Sequence, residues 1–242
     1  MIWHYDGSLE GFWTLVARSY LDRMLPVQIV AASLEPDLFD QACRIERDEA
    51  LAARAAQGFA RKAGEGNYNR VVDALRLERP PLLELLLFVR LGFKEPQALH
   101  DRRLEVNRAV GSAAAFAYRE AHRQIGFVRF MQWCDETLYA SIAPKAAILD
   151  LMAPHFQDRM AQEPRWIIHD RGRNEALVGH YRCAKQVAVE TLESPRFSED
   201  EAQIQALWRC FFDRVTIEAR RSPKRQRQLV PRRFEPHMTE MR

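Results

Sequence analysis

In the middle of the chain, the run Tyr118-Arg119-Glu120-Ala121-His122-Arg123 sets Arg119, His122 and Arg123 at i, i+3 and i+4. On a helix those positions share one face, and like charges so placed repel by about a few tenths of a kcal/mol. The arrangement becomes useful when an anion bridges it. Arg129 follows on the next segment and extends the row. Guanidinium groups donating to phosphate oxygens is the chemistry this pattern suits. The plainer alternative is a solvated helix face in which Glu120 and Arg123 form an ordinary pair. Glu120, His122, His155 and Asp170 are the candidates for general acid/base work, with His155 and Arg159 at i, i+4 and His169 beside Asp170. That chemistry requires the four groups to converge on one substrate atom.

Other chemistries lack their signatures. The four cysteines, Cys43, Cys134, Cys183 and Cys210, are scattered with no CxxC, and no HExxH or close pair of histidines occurs. No metal site or iron–sulfur cluster is therefore expected, and the thiols read as buried and inert. There is no Walker loop, GxGxxG, GxSxG or kinase signature, so no cofactor is expected.

The strongest charge feature lies near the carboxyl end. Residues 219–233 read ARRSPKRQRQLVPRR, and carry Arg220, Arg221, Lys224, Arg225, Arg227, Arg232 and Arg233 without one acidic residue. Removing those seven cations from a formal net charge of +3 leaves the rest of the chain at −4. Such a run is a candidate phosphate-binding segment. Leu229, Val230 and Phe234 give it apolar residues with which to lie on a surface, whereas a frayed, solvated terminus is the ordinary alternative. Tyr5, Trp13, Trp133, Tyr139 and Trp166 stand in or near Arg-bearing segments. They read first as core, with base stacking as the alternative use.

The elements that must position these groups follow from the hydrophobic period. Trp3–Tyr5 and Val27–Val30 are short strand candidates, and Ser8 caps a helix to about Met24 whose buried face is Leu9, Phe12, Val16 and Tyr20. Helices are expected over residues 48–62, 67–77 and 82–91, and a long one over about 96–125 closed by Gly126. The pattern then changes to strands at 127–131 and 138–142, a helix at 148–160, and strands at 165–169 and 176–181. Ser198 with Glu201 forms a capping-box pattern opening an amphipathic helix over about 199–220, with Ile204, Leu207, Trp208, Phe211 and Val215 at helical spacing. The expected fold class is α+β, mainly helical, with a small antiparallel β-β-α-β-β sheet region and a C-terminal amphipathic helix. The expected organisation is one domain over 1–242. Its subregions are a mainly helical 1–125, β-β-α-β-β over 126–185, and the C-terminal helix with its basic tail over 196–242.

The length of 242 residues suffices for a real core, and 47% hydrophobic with 29% charged residues is ordinary globular composition. The longest apolar stretch, Leu82–Phe93, is cut by Glu84 and Arg90 and is too short to span a bilayer. The opening MIWHYDGSLE has neither a basic nor an apolar signal region, so no membrane association and a cytoplasmic location are expected.

Five blocks also carry a resemblance: YDGSLEGF, REAHRQIGFVRF, YASIAPKAAILDLMAPHFQDR, RWIIHDRGR and LWRCFFDRVTIEARRSPKRQRQLVPRRF. In order and over most of the chain they resemble a bacterial domain-of-unknown-function family labelled as DNA-repair or DNA-metabolism proteins. The resemblance implies a DNA-engaging accessory role. Members of that family are encoded beside a DNA-modification or repair radical-SAM protein, and in other chains the domain is fused ahead of a uracil-DNA glycosylase of the UdgX type. The cysteine pattern here cannot hold a radical-SAM cluster, so the resemblance places any such chemistry in a separate partner. It supplies no catalytic residues. Three roles follow as expectations: a nucleic-acid-binding accessory protein, an enzyme using Glu120, His122, His155 and Asp170, or a scaffold for the partner whose mark would be an exposed apolar patch.

Overall fold

The structure is a computed structural model that describes residues 1–31, 42–190, 196–217, 220 and 222–241. Arg221 lies outside the described residues. The chain divides into two compact units, Met1–Ala117 and Tyr118–Arg242.

The first unit is built on a small parallel sheet. β1 (Ile2–Tyr5) is its middle strand, flanked by β2 (Gln28–Ala31) and β3 (Ala42–Arg44), both parallel to it. Parallel neighbours need crossovers, and α1 (Leu9–Leu21) supplies the one from β1 to β2. Ser8 caps α1 as its sequence position predicts, its hydroxyl accepting from the Gly11 amide at 2.9 Å. Phe12 and Val16 are buried as expected, but Tyr20 is exposed, with the Arg90 guanidinium over its ring. α2 (Glu49–Ala63), α3 (Glu65–Leu75) and α4 (Leu82–Lys94) complete the core around Trp3, Trp13, Phe59, Leu85, Phe88 and Val89.

The long helix expected from about residue 96 starts later. Pro96–His100 is a separate 3-10 turn, and α5 runs over Glu105–Phe127. The interruption has a local cause. Asp101 accepts from the Arg103 backbone and guanidinium, and the Asn107 amide donates to the Ala98 and Asp101 carbonyls. These bonds satisfy the backbone in a non-helical path. Gly126 lies inside α5 rather than ending it.

The second unit holds a five-stranded sheet in the order β4 (Met131–Gln132), β5 (Leu138–Ile142), β6 (Trp166–Asp170), β7 (Glu175–His180), β8 (Cys183–Ala188). The expectation of a purely antiparallel sheet is corrected here. β5 and β6 are parallel, because α6 (Leu149–Arg159) is the crossover between them, while the other pairs are antiparallel. β8 was not foreseen. Its residues are largely exposed at the sheet edge and lack an apolar alternation. α6 covers the face carrying Trp166 and Ile168, with Phe156 against the Trp166 indole.

α7 (Glu201–Val215) is shorter than the 199–220 predicted, and the capping box does not form. Glu201 is buried and spends its carboxylate on the Gln132 backbone amide and the Gln205 side chain, and the Ser198 hydroxyl has no partner among the described residues. α8 (Pro223–Leu229) follows, then 3-10 turns at Arg232–His237 and Thr239–Met241.

Candidate nucleic-acid interface

The carboxyl-terminal segment is folded against the second unit rather than frayed. Phe234 is fully buried and packs on Phe127, and Met238 and Thr239 are buried with it. Two ion pairs fasten the segment. Arg233 Nη2 reaches both Glu120 carboxylate oxygens, at 2.7 and 2.6 Å, and Glu120 is 1% exposed. Arg129 donates to Glu240 at 2.7 Å, and Trp208 Nε1 donates to the same carboxylate at 3.0 Å. Burial pushes the Glu240 carboxyl up, but hydrogen bonds from Arg129, its own backbone and Trp208 outweigh it and hold the group below its ordinary value.

These contacts divide the predicted cations into two groups. Arg129 and Arg233 are spent on the protein's own carboxylates. Arg220, Lys224, Arg225, Arg227 and Arg232 are exposed, as are Arg119 and Arg123 on α5, and none of the seven pairs with a described carboxylate. The Arg233–Glu120 bond brings the segment holding Arg232 alongside the α5 residues that carry Arg119 and Arg123. A cleft of about 420 Å³ opens between α7 and α8, lined by Phe212, Asp213, Thr216, Arg220, Arg225 and Leu229 among others.

Two members of the acid/base quartet are engaged elsewhere. Glu120 is held by Arg233 and by the Lys145 amide. Asp170 is fully buried, accepting from Arg173 and the Gly172 amide. His122 and His155 are exposed, on α5 and α6 respectively. No hydrogen bond links the four. Among the described residues no group of three or more His, Cys, Asp or Glu side chains is placed to hold a metal ion. Tyr5, Trp13, Tyr139 and Trp166 are buried, which leaves Trp133 as the half-exposed member of the aromatic set. Buried thiols were expected, but Cys134, Cys183 and Cys210 are exposed.

A different constellation occupies the sheet face opposite α6. On β5, Tyr139 and Ser141 point to one side, and the parallel register sets His169 of β6 directly beside Ser141. Tyr139 Oη and His169 Nδ1 share a hydrogen bond of 3.0 Å, and Ser141 Oγ and His237 Nδ1 share one of 2.8 Å. Trp133 stacks on the Tyr139 ring, with centroids 4.9 Å apart. Burial pushes the His169 pKa below 6.5, and Arg171 lowers it further against the opposing pull of Asp170. The signal for this group was present in sequence as Tyr-x-Ser and His-x-Arg, polar residues alternating at the ends of two apolar strands. His237 lies 96 positions from Ser141, so only folding reveals their pairing.

Comparison with known proteins gives one finding. The family described as a domain of unknown function, DUF4130, matches residues 82–240, about two thirds of the chain. No curated protein and no solved structure matches.

Proposed function

From the premise that the chain belongs to the DUF4130 family, we propose that it is a nucleic-acid-binding accessory protein of DNA repair or DNA metabolism, working with a separate catalytic partner of radical-SAM or glycosylase type. One observation carries this reading: five exposed cations of the carboxyl-terminal segment, Arg220, Lys224, Arg225, Arg227 and Arg232, have no described carboxylate of the protein's own to neutralise them. A cation left unpaired on a folded surface binds phosphate at little reorganisation cost. Arg119 and Arg123 supply a second row beside Arg232. Arg129 and Arg233, by contrast, anchor the segment that displays the others. If about six phosphates are neutralised on duplex DNA, the log–log salt slope is near −5. The test is a salt titration of binding to single- and double-stranded DNA, comparing the native chain with Arg220→Gln/Lys224→Gln/Arg225→Gln/Arg227→Gln. Equal slopes for the two proteins would defeat the proposal. Truncation before residue 220 is a poor control, because it strips Phe234 from the core and orphans Glu120 and Arg129.

A second reading, a docking scaffold for the catalytic partner, is favoured by α7. Ile204, Leu207, Phe211 and Val215 are each more than half exposed, although their spacing is that of a buried stripe. An apolar helix of the partner protein would cover it.

A further inference from the structure

On the sheet face opposite α6, the polar groups Tyr139, Ser141 and His169 stand among the apolar Ile167, Ala176 and Val178, with Tyr139 and Ser141 largely buried, and each of the three polar groups has a hydrogen-bonded partner. Ser141 is the penultimate residue of β5 and His169 the penultimate residue of β6, on adjacent parallel strands joined through α6. Both therefore sit at the carboxyl ends of a β-α-β unit, where open parallel sheets present their sites. His237 reaches the Ser141 hydroxyl from the carboxyl-terminal segment, at a distance suited to proton transfer. The Arg171 amide donates to the Ile142 carbonyl and so continues the parallel ladder. That continuation puts the exposed Arg171 on the same sheet face as His169, two residues on. His169 Nε2 is buried with no partner among the described residues, while its other ring nitrogen is fixed by Tyr139.

We propose that Ser141 is a nucleophile toward a phosphate ester, with His237 as its base and Arg171 and His169 holding the phosphoryl oxygens. Ser141 Oγ bonds to phosphorus as its proton passes to the His237 ring. The bond from phosphorus to the leaving oxygen breaks, and the His237 proton goes to that oxygen. Water, deprotonated by His237, then attacks phosphorus, the Oγ–P bond breaks, His237 returns its proton to Oγ, and the phosphate product leaves. Atoms and charge balance with water as the only co-reactant. Tyr139 is a positioning residue, setting the ring plane of His169, whose low pKa leaves the imidazole neutral near pH 7. The inference is independent of the DNA-binding reading, since it uses none of the cations of α8.

Two measurements test it. A neutral fluorophosphonate probe is incubated with the full chain, and the adduct is mapped by mass spectrometry. Labelling of Ser141, lost in Ser141→Ala and at least about tenfold slower in His237→Gln, is expected. No adduct on Ser141 in the native protein would overturn the proposal without reference to any variant. Hydrolysis of bis(4-nitrophenyl) phosphate, an anionic diester, is the second readout. Arg171→Gln, an exposed change, should lower that turnover about tenfold or more and slow the neutral probe by a smaller factor. Equal loss on both would contradict the anion-holding role of Arg171. DNA binding by Ser141→Ala, measured in the same salt titration, should match the native chain, so failure here is distinguishable from failure of the interface.

Discussion

Single residues decide which cations are available. Glu120 and Glu240 are each buried against one arginine, and each removes that arginine from the pool that could meet phosphate. Removing one partner of a buried pair costs more than the pair contributes, because the other is left desolvated and alone. Glu240→Gln should therefore destabilise the native chain by about 2 kcal/mol near pH 7, read as a fall in Tm. The sign with pH follows from the depressed carboxyl. Its folded-state value lies below the ordinary 4.5, so its contribution is fully present above that value and is lost as pH falls through the folded-state one. The Tm gap between native and Glu240→Gln proteins should shrink below about pH 4.5. A gap that persists unchanged into stronger acid would show that the Arg129–Glu240 bond is not its source.

At the scale of elements, close packing across the sheet is the strictest constraint. Trp166 and Gly179 are cross-strand partners, and the fully buried indole lies over the glycine. A Cβ at Gly179 would run into the ring atoms of Trp166. Gly179→Ala should cost about 3 kcal/mol by forcing the indole off its seat, measurable by denaturant unfolding. A neutral effect would mean that the strand yields more readily than the sheet geometry allows. α7 poses the opposite case, a helix with too little packed on it. If its stripe is a docking face, Leu207→Asp should leave helicity and Tm within error of the native chain and abolish co-elution with the partner. A large loss of stability would instead place Leu207 in the protein's own core.

Across the whole molecule, a net charge of +3 understates how unevenly charge is spread. The rest of the chain is acidic, so the cations of the carboxyl-terminal segment stand out locally rather than as part of a general positive field. Association steered by such a local strip weakens steeply with ionic strength, as the Debye length falls to about 10 Å at 0.1 M salt. Binding that changed little between about 50 and 200 mM salt would be inconsistent with phosphate contacts of this kind.

Short-range patterning was enough for the local features. Ser8 as a cap, β5 at Leu138–Ile142, α6 with Pro154 inside it and the helical character of residues 201–215 all rest on short-range periodicity and capping chemistry. It also located the basic run from which the proposed interface is drawn. What it could not assign was partnership between distant residues. Whether a given arginine faces water or a buried carboxylate depends on contacts such as Arg233–Glu120, across 113 positions, and Arg129–Glu240, across 111. The parallel pairing of β5 with β6 and the approach of His237 to Ser141 belong to the same class. Strand direction and long-range polar contacts are set by how the crossover helix and the carboxyl-terminal segment pack, and no short window of sequence encodes that choice.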